Sequence, residues 1–560
     1  MTQIKYLLTA IYGEEANNTF TDAFISRIEK AKSLNFQKRK EGWDENDVVL
    51  ITYADQFHRG DEKTLGVLRD FYNRHLHEHF SHIHLLPFYP WSSDDGFSVM
   101  DYHAVESVAG DWQDIKHLNQ SAKLMFDFVC NHISAKSKWF RGYLENKPEY
   151  QNFFISVDPS TDLSAVTRPR ALPLLSPFTL ADGTQLHIWT TFSDDQVDLN
   201  FANPQVLLAM VDVLIHYLQE GADYVRLDAV GYMWKTIGTN CIHLEKTHLL
   251  VKLFRAVADE IAPGTVLITE TNVPHKDNIS YLGNGYDEAQ MVYQFPLPPL
   301  VLHAIHTGSA KVLSTWAASL SADTRGNTTW FNFLASHDGI GLNPLRGILP
   351  EDEILALVAD LQQEGALVNW KNNPDGTRSP YEINVTYMDA LNRRNSNDEE
   401  RLARFILAHA ILLVFPGVPA IYIQSVLGSR NDYAGVESLG YNRAINRQKY
   451  DLPDIEEQLQ DENSLRHKVC QKLLRLISVR KNQAAFHPDS HFTAKSYADN
   501  ILIVQRGAKD GSSILALFNL SNKSQPYPLA DKNYRDLLTG EVINGSQNYE
   551  MQPYQVLWLS

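Results

Sequence analysis

Short apolar runs alternate with amphipathic stretches along most of the chain. Runs rich in Val, Ile and Leu are typical of strands that are buried on both faces of a parallel sheet. Between them apolar residues recur at helical spacing, as over residues 204–220, and this alternation predicts a parallel α/β fold. The predicted strands are 48–53, 83–88, 123–129, 224–228, 265–269, 290–295, 330–335 and 418–424.

Eight strands is the number in a closed (β/α)8 barrel, and this is the predicted fold class. After the third strand, residues 133–200 are rich in Pro, Asp, Ser and Thr but keep many aromatic residues, which predicts an inserted subdomain. A second, irregular insertion is predicted after the seventh strand. Towards the C-terminus, short alternating runs predict a small antiparallel β domain. The predicted domains are a barrel at 1–132 and 201–484 (including the insertion 345–400), the subdomain at 133–200 and the β domain at 485–560.

Three carboxylates follow predicted strands. Asp228 ends the string Tyr224-Val225-Arg226-Leu227-Asp228, Glu270 follows Leu267-Ile268-Thr269, and Asp338 belongs to Ser336-His337-Asp338. The carboxyl ends of parallel barrel strands all face one rim, so we expect these acids to converge on one cleft. Converging carboxylates are what glycosidic bond chemistry requires.

The residues beside the first two acids predict different protonation states. Strand alternation places Arg226 on the same side as Asp228, and a neighbouring cation favours an ionised carboxylate, as a nucleophile must be. The apolar strand before Glu270 predicts a raised pKa and an available proton. The plainer alternatives are a structural ion pair for Arg226 and Asp228, and a strand-end cap for Glu270.

Composition and charge exclude several classes of function. The 560 residues carry a formal net charge of −17, which argues against nucleic acid or an anionic membrane as a partner. Three scattered cysteines predict buried thiols in a reducing compartment, and with no apparent signal peptide or membrane span we predict a cytoplasmic protein. No phosphate-binding loop, dinucleotide fingerprint or nucleophile elbow is present.

Four motifs in order resemble the signature regions of the alpha-amylase superfamily of glycoside hydrolases. They are Asp101-Tyr102-His103, Arg226-Leu227-Asp228, Glu270 and His337-Asp338. Further strings resemble the sucrose phosphorylase-like subfamily: Leu86-Pro87-Phe88 with Asp95-Gly96-Phe97, Arg168-Pro169-Arg170, Leu297-Pro298-Pro299-Leu300, His337-Asp338-Gly339-Ile340-Gly341 and Ile445-Asn446-Arg447.

The resemblance implies roles for individual residues. Asp228 is expected to be the nucleophile, Glu270 the general acid/base and Asp338 the transition-state stabiliser. Amylase relatives often bind calcium beside the residue that corresponds to Asn131, but for this subfamily we expect neither a metal nor a cofactor. The expected substrate contacts are Asp55 paired with Arg447, then His103, Phe192, Gln196, Arg226 and His337, with Arg170, helped by Arg168, binding phosphate.

The implied activity is that of a retaining α-glucoside phosphorylase. The chain departs from ordinary sucrose phosphorylases at 91–95, at 335–336 and at 370–381, which we expect on the acceptor side. Its pattern is most similar to the glucosylglycerate phosphorylases, which implies reversible phosphorolysis of 2-O-α-D-glucosyl-D-glycerate. Lys371 and Arg378 are candidates for binding the glycerate carboxylate, and solvated loop charge is the plainer interpretation of both.

Other interpretations stay open from the sequence. Sucrose, sucrose 6′-phosphate or glucosylglycerol are rival donors, and an α-glucosidase or transglucosidase would use the same carboxylates. An inactive barrel that serves as an interaction subunit is a different class, although such proteins are expected to lose catalytic acids. The expected partners are small molecules (the α-glucoside, inorganic phosphate, α-glucose 1-phosphate and D-glycerate), and the expected state is a monomer or homodimer.

Overall fold

Eight parallel strands close into a barrel within residues 1–373 and 375–560, the part of the chain that a computed structural model describes. The first strand, Val49–Thr52, pairs with the eighth, Val418–Tyr422, and so closes the ring. The intervening strands are His82–Leu85, Lys123–Phe128, Ala222–Leu227, Val266–Thr269, Met291–Tyr293 and Thr329–Asn332. All eight predicted strands are confirmed, and the fold class with them.

Helices cover the outer face of the barrel, which is why its strands read as continuous apolar runs. The helix Pro204–Gln219 shows how the sequence determines where such a helix begins. Asn203 caps its first turn by accepting a hydrogen bond from the Gln205 N–H, and Pro204 occupies the first helical position. The main outer helices are Thr64–His75, Trp112–Ser121, Pro204–Gln219, Glu245–Ile261, Leu297–Thr307, Lys311–Ser319, Asp398–Val414 and Leu465–Lys481.

The N-terminal segment is helical and forms Thr2–Tyr12 and Asn18–Lys32. Both helices pack against Glu245–Ile261, and the Tyr12 hydroxyl donates a hydrogen bond to the Phe201 carbonyl at 2.8 Å. The remaining α-helices are Lys138–Leu144, His275–Ile279, Glu351–Gln363, Tyr387–Ala390, Ile423–Val426, Tyr433–Leu439 and Leu452–Gln460. No helix in the described ranges combines the length and the apolar character needed to cross a membrane.

The segment 133–200 lies over the rim and is tied to the barrel by one buried cation. Its strand Gln196–Asp198 pairs with His132–Ser134, and Leu175–Thr179 pairs with Gln185–Trp189. The Lys235 ammonium donates to Asn131 Oδ1 at 3.0 Å and lies 2.7 Å from Asp198 Oδ2. Lys235 therefore joins the end of the third barrel strand to the end of the inserted segment.

The segment 345–400 is more regular than predicted. It contains the helix Glu351–Gln363 and a hairpin of Leu367–Asn372 with Arg378–Asn384, whose second strand also pairs with Ile340–Gly341. The expectation of an irregular insertion was therefore wrong. The sequence of strand 378–384 does not alternate between polar and apolar residues, because both faces of the strand are covered near its C-terminal end. There the consecutive residues Glu382 and Ile383 are both buried. Pro374, within the segment 370–381 that departs from sucrose phosphorylases, lies outside the described residues.

The C-terminal part is an antiparallel β structure, as predicted. Arg506 fixes its sheet to the barrel: this buried guanidinium donates to the Val414 carbonyl at 2.8 Å and to the His487 carbonyl at 2.6 Å. The main strands are His491–Tyr497, Ile501–Gly507, Ser513–Asn519 and Val556–Leu559, with two further pairs, Gln525–Pro528 with Asn548–Met551 and Asn533–Arg535 with Val542–Asn544.

We expect Lys235→Met to destabilise the protein by about 3–5 kcal/mol, because it leaves the buried Asp198 carboxylate without its cation. The measurements are the midpoint of thermal unfolding and the rate of proteolysis within 133–200. Lys136→Met, at an exposed position in the same region, is the matched control. Equal midpoints for the two variants would contradict this role of Lys235.

Candidate active site

The three predicted catalytic acids line one cavity of about 730 Å³ at the carboxyl ends of the barrel strands. Asp228 and Glu270 directly follow the fourth and fifth strands, and Asp338 lies on the loop after the seventh. The rim of a parallel barrel is where strand-end side chains from different parts of the chain meet. The expected convergence is therefore present in the structure.

One buried guanidinium organises the first two acids. Arg226 Nη1 lies 2.6 Å from Asp228 Oδ1 and 2.6 Å from Asp127 Oδ1, while Nη2 lies 3.7 Å from Glu270 Oε2. Arg226 Nε donates to the Tyr293 hydroxyl at 3.1 Å. Since these partners lie on different strands, Arg226 sets the positions of both acids from inside the barrel.

Burial raises the pKa of Glu270 to about 8, because Arg226 only partly offsets the loss of solvent. Burial also raises the pKa of Asp228; Arg226 lowers it, as expected, but does not outweigh burial, so the pKa lies above its ordinary value. The two acids compete for a proton, and the guanidinium lies closer to Asp228 than to Glu270. At neutral pH the proton therefore lies on Glu270 and the negative charge on Asp228.

Asp338 is the acid whose ionisation is favoured most. Burial opposes its charge, but His337 and the Arg443 guanidinium outweigh burial and lower the pKa of Asp338. Arg443 Nη1 lies 2.8 Å from Asp338 Oδ1, and its Nε donates to the buried Glu382 at 2.8 Å. Arg443 and Glu382 were missed from the sequence, because no local motif links Asp338 to a hairpin and a loop far along the chain.

Several predicted sugar contacts line the same cavity. Phe192, Gln196 and His337 all belong to its wall. Gln196 Nε2 donates to Asp94 Oδ2 at 3.2 Å, and the His337 ring stacks on Phe97 at 4.7 Å. Burial lowers the pKa of His337 to about 3, so this side chain is neutral at physiological pH and can donate a hydrogen bond without carrying charge.

Asp55 and His103 lie outside the residues that line the cavity, and the expected pair of Asp55 with Arg447 is not formed. Asp55 is 39% exposed and lies 2.7 Å from Lys449 Nζ, while Arg447 Nη1 contacts Asp95 Oδ2 at 2.7 Å. His103 is 50% exposed. Both predictions were wrong because a position shortly after a strand or motif does not determine which way the following loop turns.

Asp94 and His132 line the cavity instead. The backbone at Asp94 has φ of 54°, and Gly96 has φ of 104°. A Cβ at Gly96 would lie 2.6 Å from the Pro87 carbonyl oxygen, so this tight turn requires glycine there. The Asp-Asp-Gly string was the available signal for this turn. Burial opposes ionisation of Asp94, but Arg170 and other arginines lower its pKa.

Several cationic side chains line the cavity. Arg170 Nη2 lies 3.4 Å from Asp94 Oδ2, and its guanidinium lies 5.3 Å from the centre of the Phe192 ring. Arg168 and Lys371 also line the cavity. Arg378 is exposed and lies outside the lining, so the expectation that it binds a substrate carboxylate was wrong.

The position beside Asn131 is occupied by the Lys235 ammonium described above. Across the described ranges, no group of three or more His, Cys, Asp or Glu side chains has an arrangement that could hold a metal ion. The independence of the protein from metals stays a prediction. The cysteines Cys130, Cys241 and Cys470 are buried and free of disulfides in the described part of the chain.

Comparison with known proteins places this geometry in context. Residues 51–341 match the alpha-amylase catalytic domain, and residues 501–559 match the beta-galactosidase C-terminal domain. The glucosylglycerate phosphorylase of Escherichia coli (strain K12) is 63% identical over 552 residues, which cover 99% of this chain and 98% of that protein. The glucosylglycerate phosphorylase of Allomeiothermus silvanus is 48% identical, with 98% and 96% covered.

A solved structure agrees with the architecture over nearly the whole chain. The crystal structure of sucrose 6F-phosphate phosphorylase from Thermoanaerobacter thermosaccharolyticum superposes with a TM-score of 0.75 at 26% identity. The match covers 90% of this chain and 98% of that chain.

We expect Glu270 to keep its proton at neutral pH and to lose it as the pH rises through about 8. In difference infrared spectra, the C=O band of a protonated carboxyl group should therefore disappear between about pH 7 and pH 9. The band should be missing in Glu270→Gln and retained in Asp338→Asn, because Asp338 is already ionised. A band that survives in Glu270→Gln would contradict the assignment.

Proposed function

The chain belongs to the alpha-amylase family, and from this membership we propose that it is a retaining α-glucoside phosphorylase. The proposed reaction is the reversible phosphorolysis of 2-O-α-D-glucosyl-D-glycerate to α-D-glucose 1-phosphate and D-glycerate. The observation that carries the chemistry is the contact of one buried guanidinium, Arg226, with both Asp228 and Glu270 at the cavity wall. The leaving group is supported by 63% identity, over almost the full length of both chains, to a glucosylglycerate phosphorylase.

In the first half-reaction the protonated Glu270 donates its proton to the glycosidic oxygen. The Asp228 carboxylate attacks the anomeric carbon from the opposite face, the bond from that carbon to the glycerate oxygen breaks, and a β-glucosyl ester of Asp228 forms. The pKa of about 8 for Glu270 supports this role, because the proton is present at neutral pH but is held weakly enough to be transferred.

In the second half-reaction a phosphate oxygen attacks the same carbon from the face that glycerate has left. The ester bond breaks, Asp228 regains its charge, and Glu270 takes the proton from the attacking phosphate hydroxyl. Two inversions retain the α configuration. Arg170 is the proposed phosphate ligand, since it lines the cavity and its contact with Asp94 is long at 3.4 Å.

The remaining polar groups support the glucosyl unit in this scheme. Asp338, held ionised by Arg443, offsets the positive charge that develops on the sugar ring in both transition states. Asp94, His132 and Gln196 are the proposed partners of the glucose hydroxyls, in place of Asp55 and His103.

We also propose a cytoplasmic location and a monomeric or homodimeric state. The buried free cysteines support a reducing compartment. The net charge of −17 supports small molecules rather than nucleic acid as partners.

A screen of acceptors tests the proposed reaction. With α-glucose 1-phosphate as donor, phosphate release should be at least about tenfold faster with D-glycerate than with fructose, fructose 6-phosphate or glycerol, because the 63% identical relative is named for that acceptor. In excess phosphate, glucosylglycerate should yield α-glucose 1-phosphate rather than glucose. Free glucose as the main product would instead indicate a hydrolase.

Variants of the two acids should separate their roles. Glu270→Gln should lose about 10²–10⁴-fold in rate with glucosylglycerate, but far less in glucosylation by α-glucosyl fluoride, because fluoride leaves without a proton. Asp228→Asn should lose about 10⁴-fold or more with both donors, because both need the nucleophile. Single-turnover measurements give these rates. Near wild-type turnover of Asp228→Asn would refute the mechanism.

A further inference from the structure

Arg346 and Lys371 bring two cations to one part of the cavity wall. The Lys371 ammonium donates to Asn343 Oδ1 at 3.0 Å. Burial lowers the pKa of Lys371, and the nearby positive charge of Arg346 lowers it further. Two like charges held close together in a partly buried place are unfavourable unless an anion is bound between them.

Arg346 itself has hydrogen-bonding capacity left over. Its Nη1 donates to Glu351 Oε2 at 2.6 Å, while Nε and Nη2 are buried without a hydrogen-bond partner among the described residues. A buried donor without a partner costs about 1–3 kcal/mol. Because Arg346 also lines the cavity, a small shift of its side chain would bring these donors to an anion bound there. Glu351 supplies one negative charge against the two positive charges of Arg346 and Lys371, so one further negative charge is accommodated.

These cations lie on the side where the leaving group departs. Glu270 protonates the leaving oxygen, so the leaving group lies against the loop that follows Glu270. In that loop Asn272 packs against Gly341, where a Cβ would lie only 2.6 Å from the Asn272 side chain. From Gly341 the chain runs on through Asn343 to Arg346, all of them at the cavity wall.

We propose that Arg346 and Lys371 bind the carboxylate of D-glycerate and so set the preference for an acidic acceptor. This inference rests on the proposed function. A carboxylate offers two oxygens, which suit the forked donors of a guanidinium together with a point charge from an ammonium. Arg346 was not identified from the sequence, where Lys371 and the exposed Arg378 were the candidates.

The test compares a charged with a neutral acceptor in the synthetic direction. With α-glucose 1-phosphate as donor, Arg346→Met and Lys371→Met should each lower kcat/KM for D-glycerate by about 10- to 100-fold, the loss of a charged hydrogen bond. The rates with glycerol, or with water where glycerol reacts too slowly, should change by less than about threefold. Arg378→Met, on the same hairpin but exposed, is the matched control and should behave as the wild type.

Two outcomes would overturn the inference. Equal losses with D-glycerate and the neutral acceptors would assign the pair a general role, and a raised KM for phosphate with an unchanged KM for D-glycerate would assign it to phosphate. Thermal unfolding checks that each variant is folded. If Arg346→Met does not fold, the kinetics of Lys371→Met alone provide the test. A failure of the proposed function can be told apart from a failure of this inference, because in the first case the wild-type enzyme itself prefers an acceptor other than D-glycerate.

Discussion

The buried guanidinium of Arg226 is the interaction on which the active site depends. A fully buried cation is stable only when carboxylates and other acceptors surround it, and here Asp127, Asp228 and Glu270 meet that need. The same contacts bring two acids from neighbouring strands to one cavity. The unequal distances from the guanidinium decide which acid keeps the proton. The contacts that compensate the buried charge of Arg226 are thus the same contacts that position the two acids for catalysis.

In the proposed mechanism the barrel positions the catalytic acids, and the inserted segments provide the groups that select phosphate and the acceptor. The three acids follow barrel strands closely, so the rigid sheet fixes their geometry. The groups that we propose for phosphate and acceptor binding, Arg170 and Lys371, line the cavity from inserted segments, which can vary without disturbing the barrel. In the proposed scheme a change of acceptor therefore requires a change in the surrounding segments alone, while the carboxylates stay in place.

The site residues that were missed share a physical cause. Asp94 enters the cavity through a left-handed turn, and Arg443 supports Asp338 from a loop more than a hundred residues away. Asp55 and His103 were expected in the site because they stand near a strand end or motif, yet both side chains face solvent. The direction in which a loop leaves a strand depends on what packs against it, and such packing is not written in the local sequence.

The amino-acid sequence by itself determined the eight strands, the closed barrel and the convergence of Asp228, Glu270 and Asp338. These features follow from the repeat of apolar runs and from the parallel direction of the strands, both of which are local properties summed along the chain. The tertiary structure alone decided the raised pKa of Asp228, the place of Asp94 in the cavity and the pairing of Arg346 with Lys371. Burial and the distances between charges depend on residues far apart in the chain, so these properties exist only once the chain is folded.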